Sequence, residues 1–564
     1  MTVRTRLLLC LLTAGLSCLL PACRGREQTA KALYESELLL RIPSYSSAFA
    51  VWNFERPAAR RLQASTWGQP LTETLQQLQR KLEGGEARQA RLASILASMQ
   101  SSGLLEKAKT AAESPLREMV AFGAFNPEKK APEFGLLCSA AREVDLAART
   151  AALQNELKNR GFSLTPHNFG AVSGFALSLA AEDLPAFPLD SIYMAASQNM
   201  LALATAPELV APLLSGSRQD GMLRINSSAH FQKLKNALQP SQDEFSLAYA
   251  EAAFLLDNLE PFLPESADSG LRSQLKSLPV SAILFSQSMK DSPYHVTLAA
   301  LQDTAEGASG WFSSLTSDNS RALPGMFPSA STLGLSLDGA PLKALKDRLL
   351  NEAPEGQSAA VRSELQPLDS LKRLSLSLLE AAPAAPLPGL VLRLEAADNA
   401  ALLTSLRQAL QGLAESSGLP LSQWQSKKVG DLDISYMQSP MFGVGLFLSA
   451  DKDAVLAASS EEALKQALGR SEEVARLEKH LSSESRRLKI KLTPFGCFFG
   501  DMIKLSNLVK SLQGMLGAFT GGQEQIDHSL TETLSRLGQV YITAAYGDGI
   551  VAVQQVFLPP EKRN

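Results

Sequence analysis

The two halves of the chain contain the same short sequence patterns in the same order, and this repetition constrains the fold more than any other feature. Residues 42–47 read Ile-Pro-Ser-Tyr-Ser-Ser, and residues 327–332 read Phe-Pro-Ser-Ala-Ser-Thr. A single match of this kind is weak, whereas a series in constant order is hard to obtain by chance. The matched segments are 42–47 with 327–332, 137–140 with 394–397, 201–215 with 455–469, 231–238 with 474–481, and 249–251 with 499–501.

The repeated patterns predict strands and helices in each half. Residues 402–413 carry leucines at helical spacing, and Asp398 stands where a helix N-cap belongs. Each half ends in a predicted hairpin, and the second hairpin turns at Gly547-Asp548-Gly549. The predicted hairpin strands are 282–288 with 293–301 in the first half and 540–546 with 550–557 in the second.

Other segments indicate how the sheet and helices are arranged. Residues 488–492 alternate leucine or isoleucine with lysine, which is typical of an antiparallel sheet with one covered face and one solvated face. The runs 340–382 and 500–537 are predicted to form helical pairs. We therefore predict the α+β fold class, with two tandem copies of a mixed, mainly antiparallel sheet unit and helices packed on it.

The N-terminus carries an export signal. Arg4 and Arg6 precede an almost wholly apolar run at 7–20, and Ala22 precedes Cys23. An uncleaved membrane helix would need about 20 apolar residues, which this run does not provide. The pattern resembles the bacterial lipoprotein signal, and this resemblance implies a lipid on Cys23. Cys18 is a second candidate, with a shorter apolar run before it.

The signal and the repeats together predict the domain boundaries. They are a signal peptide at 1–22, a tether at 23–38, a first repeat unit at 39–310, a linker at 311–325 and a second repeat unit at 326–559. Turn-forming residues at 317–325 place the linker. Residue 24 is Arg rather than Asp, which resembles outer-membrane sorting in enteric bacteria. We expect a protein of the bacterial cell envelope, lipid-anchored at the periplasmic face of the outer membrane.

Composition excludes several classes of partner and site. Removal of Arg4 and Arg6 with the signal changes the formal charge from −3 to −5 (−3 − 2), and no basic run remains. Nucleic acid is therefore not an expected partner. Cys138 and Cys497, the cysteines beyond the signal, lie in apolar contexts and are expected to be buried free thiols. The five histidines lack metal-ligand spacing, so no metal or cofactor is predicted.

Three polar constellations offer possible chemistry. The first is a serine acyl-enzyme pattern of Ser273 with Lys276, Ser317-Asp318-Asn319, and Lys428-Val429-Gly430. It is a weak pattern, because its parts fall in different predicted units and Val429 replaces a hydroxyl or small residue. The others are a pair on one strand face, Asp431 with Asp433, and the matched acids Glu251 and Asp501. Neither set requires a functional site. Asp431 and Asp433 are explained as solvated carboxylates in a turn, and Glu251 and Asp501 as acidic residues at helix N-termini. The same holds for His480 and Glu484, which have helical spacing.

The organisation of 40–559 resembles an uncharacterised, internally duplicated bacterial envelope protein family, a domain of unknown function. The resemblance rests on the strand opening at a proline and on a strand, turn and helix ending in Glu-Ala-Leu at 462–464. It implies an extracytoplasmic location and no established activity. The leading hypothesis is a lipid-anchored protein that acts by binding or scaffolding, with an envelope protein as partner. The alternatives are a periplasmic carrier or chaperone for an apolar or polypeptide ligand, and a serine acyl-enzyme.

Overall fold

The protein is described from a computed structural model. The structure describes residues 32–64, 116–178, 191–216, 225–259, 280–289, 293–302, 327–328, 330–339, 342–343, 370–380, 388–417, 423–429, 432–438, 445–450, 453–468, 474, 488–520, 531, 535 and 538–558. The chain divides into two compact units, Met1–Asp303 with Arg487–Lys489, and Thr304–Arg486 with Ile490–Asn564. Cys23, the expected lipid attachment site, lies outside the described residues.

The first unit is a mixed α/β structure whose described strands all pair antiparallel. They neighbour one another in the order β10-β9-β8-β1-β2-β3-β7-β6-β5-β4. The strands are β1 Ser46–Asn53, β2 Leu116–Asn126, β3 Ala131–Ala140, β4 Leu164–Phe169, β5 Val172–Ser178, β6 Ser191–Ala196, β7 Met200–Ala204, β8 Glu244–Glu251, β9 Val280–Met289 and β10 Tyr294–Gln302. Its helices are α1 Pro57–Ala64, α2 Leu146–Asn159, α3 Pro207–Ser215, α4 Ala229–Ala237 and α5 Ala252–Leu259, after two short 3-10 turns at Leu33–Glu35 and Leu39–Arg41.

The second unit pairs its described strands antiparallel as well. Their order is β20-β19-β18-β11-β12-β13-β17-β16-β15-β14. The strands are β11 Ser331–Asp338, β12 Leu371–Leu379, β13 Leu390–Ala396, β14 Gln425–Val429, β15 Leu432–Gln438, β16 Gly445–Ala450, β17 Val455–Ala458, β18 Thr493–Asp501, β19 Gln539–Gly547 and β20 Ile550–Leu558. Its helices are α6 Asn399–Ser417, α7 Glu461–Gln466 and α8 Met502–Thr520.

Local sequence explains the turns and helix starts that shape these units. Gly170 has a φ of 62° at the first position of the two-residue β4–β5 turn, as a type II′ turn requires. Asp548 and Gly549, with φ of 51° and 73°, form the type I′ turn between β19 and β20. Asp145 caps α2 by accepting a hydrogen bond from the Ala148 amide at 3.0 Å. Both predicted hairpins are thus present, with strands β9–β10 and β19–β20.

Each unit has its own buried apolar core. In the first unit, Phe49, Phe231 and Tyr249 pack ring to ring, with the Phe231 and Tyr249 centroids 4.9 Å apart. A second cluster of this unit holds Trp52, Met119, Cys138, Leu146, Leu153 and Phe175. In the second unit, the rings of Phe327 and Phe499 stack at 6.2 Å, within a cluster that includes Tyr541 and Val556.

Three bulges interrupt pairing at the same places in the two strand orders. Each inserts one unpaired residue, which bends a strand and increases its twist. The strands concerned are β1 and β11, β2 and β12, and β8 and β18. The inserted residues are Ser47 and Thr332, Arg117 and Lys372, and Phe245 and Phe495.

Several sequence predictions were wrong in detail. The segment 371–379, predicted as part of a helical pair, is strand β12, because its apolar residues alternate with period two. The alternating segment 488–492 is not a strand, although Leu488 forms an isolated bridge with Leu238. The match of 137–140 with 394–397 is out of register by one residue, since Met119 pairs with Cys138 where Leu374 pairs with Leu394. A shift of one residue moves a side chain to the other face of a sheet.

Candidate binding surface

One face of the second unit's sheet carries exposed leucines on three neighbouring strands. Leu335 of β11 lies directly opposite Leu376 of β12, and Leu378 of β12 lies opposite Leu390 of β13. Opposite residues of an antiparallel pair, and residues two apart on one strand, share a face. Leu335, Leu376 and Leu390 are 39%, 37% and 46% exposed. We name as the leucine face the residues Leu333, Leu335, Leu374, Leu376, Leu378, Leu390 and Leu392.

The other face of the same strands is buried and polar. Ser336 and Ser375 lie opposite each other, both are buried, and their hydroxyl oxygens are 2.8 Å apart. In the first unit, the corresponding pair of β1 and β2 is Val51 with Val120, and both are fully buried. The second unit therefore has serine inside and leucine outside. A buried polar pair beside exposed large apolar side chains is informative, whereas a single exposed leucine is common.

The leucine face is bordered by apolar side chains that are more deeply covered. Leu374 and Leu392 pack at one margin against the cluster of Leu342, Leu394 and Leu402, which includes the first turn of α6. On the other side Leu335 lies opposite the half-buried Phe498 of β18. The apolar surface is therefore continuous across the centre of this sheet.

Charged residues stand at both ends of the row of leucines on β12. Lys372, the residue inserted by the bulge, is exposed, whereas its neighbour Leu371 is buried with Leu394 and Leu402 at this end of the leucine face. Glu380 follows the strand, and its Oε2 lies 3.9 Å from the Nζ of Lys504. A ligand on the leucine face would thus meet the buried cluster around Leu371 at one end of β12 and a carboxylate near a lysine at the other.

β11, β12 and β13 each pair with a neighbour on both sides. Their backbone donors and acceptors are therefore used within the sheet, and the leucine face offers apolar contact without directional hydrogen bonds. This arrangement can bind hydrocarbon but gives no group for bond making or breaking.

The structure does not bring together the parts of the predicted acyl-enzyme pattern that it describes. Ser273, Lys276, Ser317, Asp318 and Asn319 lie outside the described residues, as do Gly430, Asp431, His480 and Glu484. Lys428 is exposed on β14 and lies opposite Asp433 of β15. Asp433 is also exposed, and its backbone oxygen accepts a hydrogen bond from the Ser449 hydroxyl at 3.1 Å. Cross-strand pairing of opposite charges explains this lysine and this carboxylate.

The matched acids Glu251 and Asp501 end β8 and β18, just before α5 and α8. The Oδ1 of Asp501 accepts hydrogen bonds from the amides of Ile503 at 3.1 Å and Lys504 at 3.0 Å. Its Oδ2 accepts one from the Gln539 side chain at 3.2 Å. Asp501 is therefore the N-cap of α8, as expected of an acidic residue at a helix start.

The two cysteines are buried free thiols, which confirms that prediction for Cys138 and Cys497. Among the described residues there is no group of three or more histidine, cysteine, aspartate or glutamate side chains able to hold a metal ion. No helix in the described part of the chain has the length and apolarity needed to cross a membrane.

A buried carboxylate of the first unit has a structural role. Glu133 accepts hydrogen bonds from the Tyr45 hydroxyl at 2.6 Å and the Asn126 amide at 2.8 Å. The Lys129 Nζ lies 3.3 Å from its Oε1 and also contacts Glu208. The pKa of Tyr45 is raised above its usual range. Burial is the largest cause, and the hydrogen bond to the Glu133 carboxylate is the second. These bonds tie the β2–β3 hairpin to the segment before β1.

Sequence reasoning missed the leucine face. Its signal was present as a period-two alternation of leucine with glycine or serine at 333–337 and with serine at 374–378. That alternation shows which residues share a face, whereas a helical pair is predicted from the sequence over 340–382.

Comparisons with known proteins add little to this geometry. No family model matches the chain, and no curated protein matches it. Crystal structures of the protein TP0453 are similar to it at 13% sequence identity. Crystal form I has a TM-score of 0.21 and covers 48% of this chain and 80% of TP0453, and form III has a TM-score of 0.22 with 50% and 83%. Form IV has a TM-score of 0.21 with 48% and 81%. TM-scores this low support no inference on fold or function.

Proposed function

We propose that this protein is a lipid-anchored bacterial envelope protein that acts by binding an apolar partner through its leucine face. The observation that carries the proposal is the group of exposed leucines on β11, β12 and β13. Full burial of one leucine side chain is worth about 1.5–3 kcal/mol. Covering the exposed part of Leu335, Leu376 or Leu390 would therefore contribute about 1 kcal/mol each.

The anchor is the second part of the proposal. Its support is the sequence, in which Arg4, Arg6, the apolar run and Ala22 precede Cys23. Replacement of Cys23 by alanine is expected to abolish fatty-acid labelling and to release the protein from the membrane fraction or leave an unprocessed precursor. A labelled Cys23→Ala protein, or a mature N-terminus other than Cys23, would contradict the anchor.

The third part is that the two units are copies of one ancestral unit. Its support is the common strand order, the three bulges at matching places, and the helix that directly follows β7 in one unit and β17 in the other. In an experimental structure, superposition of the units should pair Pro43 with Pro328, Glu208 with Glu462, and Cys138 with Leu394. Superposition that places these residues on unrelated elements would remove this part of the proposal.

A fluorescent probe of apolar surface tests the binding surface directly. The mature protein is titrated with anilinonaphthalene sulfonate, alongside the variants Leu335→Gln and Leu376→Gln. Leu468→Gln is the matched control, because Leu468 is 51% exposed but lies at the end of α7, outside the leucine face. We expect the two face variants to bind less probe and the control to bind as the wild type does. Equal binding by all four proteins would show that the leucine face is not the binding surface.

The carrier hypothesis is a second candidate, and one observation favours it. The strands under the leucine face use their backbone groups within the sheet, so the surface offers apolar contact and no backbone hydrogen bonds. A polypeptide partner has backbone groups of its own to satisfy, which a hydrocarbon ligand does not have. Ligands extracted from the mature protein after purification from its own envelope would distinguish the two. Co-purification of a small amphiphile favours a carrier, and co-purification of a stoichiometric protein favours a scaffold.

A further inference from the structure

We propose that the first unit meets an anionic bilayer through the exposed side of α4, beside the point where the tether from Cys23 enters the fold. This inference rests on the proposed function, because it requires the lipid anchor. It adds a second membrane contact and names the lipid charge that this contact prefers. Three observations carry it: the length of the tether, the place where the tether joins the fold, and the charges around α4.

The tether is too short to hold the fold far from the membrane. Nine residue steps separate Cys23 from Ala32, where the described part of the chain begins. A fully extended chain of this length spans about 30 Å, and a random coil of this length has an r.m.s. span of about 15–18 Å. The surface around Ala32 therefore lies close to the bilayer in which Cys23 is anchored.

The helix α4 lies where the tether enters the fold. Leu33, the next residue of the chain, is buried, so the fold holds the chain from this point on. The Nζ of Lys235, in the last turn of α4, lies 4.2 Å from the centroid of the Tyr34 ring. A cation over an aromatic face is an attractive contact. It places α4 two residues from the end of the tether.

The helices α4 and α2 cover opposite faces of the first unit's sheet. Phe231 of α4 packs on Phe49 of β1, with ring centroids 5.9 Å apart. Leu146 of α2 belongs to the cluster that contains Trp52 of the same strand. Phe49 and Trp52 are three positions apart, so their side chains point to opposite faces. The chain that enters beside α4 therefore brings α4, and not α2, to the side of the anchor.

The charge of α4 is positive. Its nine residues include Lys233 and Lys235 and no aspartate or glutamate. Lys233 is exposed and Lys235 is half-buried. At 100° per residue, these two lysines border the side of the helix that faces away from its buried residues, which are Phe231, Leu234 and Ala237. A helix with a basic outer side is attracted to anionic lipid head groups.

Two neighbouring segments extend this charge. Lys489, which belongs to the first unit, is exposed, and its amide donates a hydrogen bond to the Ala237 carbonyl at 2.9 Å. The cation therefore stands at the end of α4. The tether residues 24–31 include three basic residues and one acidic residue, a net charge of +2 (3 − 1). Basic residues thus lie on the outer side of α4, at its end, and in the chain between α4 and the anchor.

The charge of this region is opposite in sign to that of the rest of the protein. The tether and the three lysines on and beside α4 carry +5, and the exposed Glu35 and Glu37 of the entering chain reduce this to +3 (5 − 2). The mature chain carries −5, so the remainder carries −8 (−5 − 3). An anionic bilayer attracts the tether side and repels the remainder. The contact therefore orients the anchored protein.

The strength expected of this contact is modest. Each lysine near an anionic surface changes the affinity by about fivefold. Several such residues approach the marginal binding that one acyl chain provides, and they do not replace a lipid anchor. Release of the Cys23→Ala protein from the membrane fraction is therefore still expected.

The test separates this contact from the anchor. The mature chain with Cys23→Ala carries no lipid and binds vesicles only through its own surface. Its co-sedimentation with phosphatidylcholine vesicles is compared with that on vesicles containing phosphatidylglycerol, at low salt. The variants made in this chain are Lys233→Gln and the pair Lys233→Gln with Lys489→Gln. Lys158→Gln is the matched control, because Lys158 is an exposed lysine of α2, on the opposite face of the sheet.

We expect tighter binding to the phosphatidylglycerol vesicles, weakened by added salt. Lys233→Gln should weaken this binding by about fivefold and the pair by about 25-fold. Lys158→Gln, and Leu376→Gln on the leucine face, should leave it unchanged. Circular dichroism checks that each variant is folded. In the lipidated wild type on phosphatidylglycerol vesicles, Lys233 and Lys489 should be protected from acetylation while Lys158 is not.

Other results would overturn the inference and leave different parts of the proposed function standing. No binding, equal binding to both kinds of vesicle, or an equal loss with Lys158→Gln would exclude the α4 contact but not the anchor. Loss with Leu376→Gln and not with Lys233→Gln would assign the bilayer contact to the leucine face. A wild type without fatty-acid label would remove the anchor, and the expected losses with Lys233→Gln would then support the α4 contact on its own.

Discussion

Glu118 of the first unit provides a prediction whose magnitude follows from its surroundings. It lies on β2, opposite Asn53 of β1 and Ser139 of β3, and its side chain is hydrogen-bonded to Ser36 in the segment before β1. Burial is the main effect and raises the pKa of this carboxyl to about 6, against a counteracting hydrogen bond from Ser36 and the charge of Arg56. The substitution Glu118→Gln removes the titration and keeps the shape of the side chain.

The sign and size of the effect follow from linkage. A carboxyl whose pKa is higher in the folded state than in the unfolded state binds its proton more tightly when folded. Its stabilising contribution is fully present below the unfolded pKa of 4.5 and is lost as the pH rises through about 6. A pKa of about 6 in the folded state against 4.5 in the unfolded state corresponds to about 2 kcal/mol. This is an upper figure, because part of the Glu118 residue stays in contact with water.

The assay is urea unfolding of the mature protein at several pH values between about 4 and 8. Pulse-labelling hydrogen exchange with mass spectrometry of peptides from β1 and β2 reports the unfolding of this part of the first unit. Relative to wild type, Glu118→Gln should gain stability as the pH rises, by up to about 2 kcal/mol near neutral pH. Ser139→Ala is the control, because this neighbour has no titrating group and should give an offset independent of pH.

A stability difference that does not change with pH would refute the prediction for Glu118. If the stability difference between Glu118→Gln and wild type is the same at about pH 4 and about pH 8, the carboxyl titrates alike in the folded and unfolded chains. Burial between β1, β3 and the segment around Ser36 would then not control its ionisation.

Three further predictions concern the core, a cap and a sheet edge. Phe231→Ala should destabilise the first unit by about 3–5 kcal/mol in urea unfolding, because this fully buried ring packs 4.9 Å from that of Tyr249, whereas Phe231→Leu should cost less. Asp501→Ala should lower stability by about 0.5–2 kcal/mol through loss of the α8 cap to Lys504, and Asp501→Asn should restore most of it; equal losses would argue against a capping role. Pro166 lies on β4, at the end of the first unit's strand order, and supplies no amide hydrogen, so Pro166→Val should increase self-association in analytical ultracentrifugation, and unchanged sedimentation would count against edge protection.

Local features were the most predictable from the sequence. The β19–β20 hairpin was predicted from its Gly-Asp-Gly turn flanked by apolar strands, because few residues adopt the positive φ angles that such turns require. The capping position of Asp501 and the burial of the two cysteines were predictable for similar reasons. Each depends on a few neighbouring residues rather than on the whole fold.

Features that depend on distant partners were not predictable. Alternation in 374–378 fixes which leucines and serines share a face, but not which face other elements cover. The usual expectation places leucine inside, and the structure places Ser375 inside. The prediction of a strand at 488–492 was wrong although the alternation there is clean. This segment forms one isolated bridge, at Leu488, and no ladder with a neighbouring strand.

The reversed polarity of β11 and β12 distinguishes the second unit from the first. Leaving leucines exposed gives up part of their burial energy, and burying serines costs more unless the hydroxyls are hydrogen-bonded. Ser336 and Ser375 meet that condition through each other, at 2.8 Å. The first unit has valines at the matching places, and on the opposite face Ala50 and Ala121 are half-buried against the cluster of Trp52, Met119 and Cys138, so that face offers little to a partner. Under the proposed function, this contrast predicts that the probe binds the second unit and not this face of the first unit.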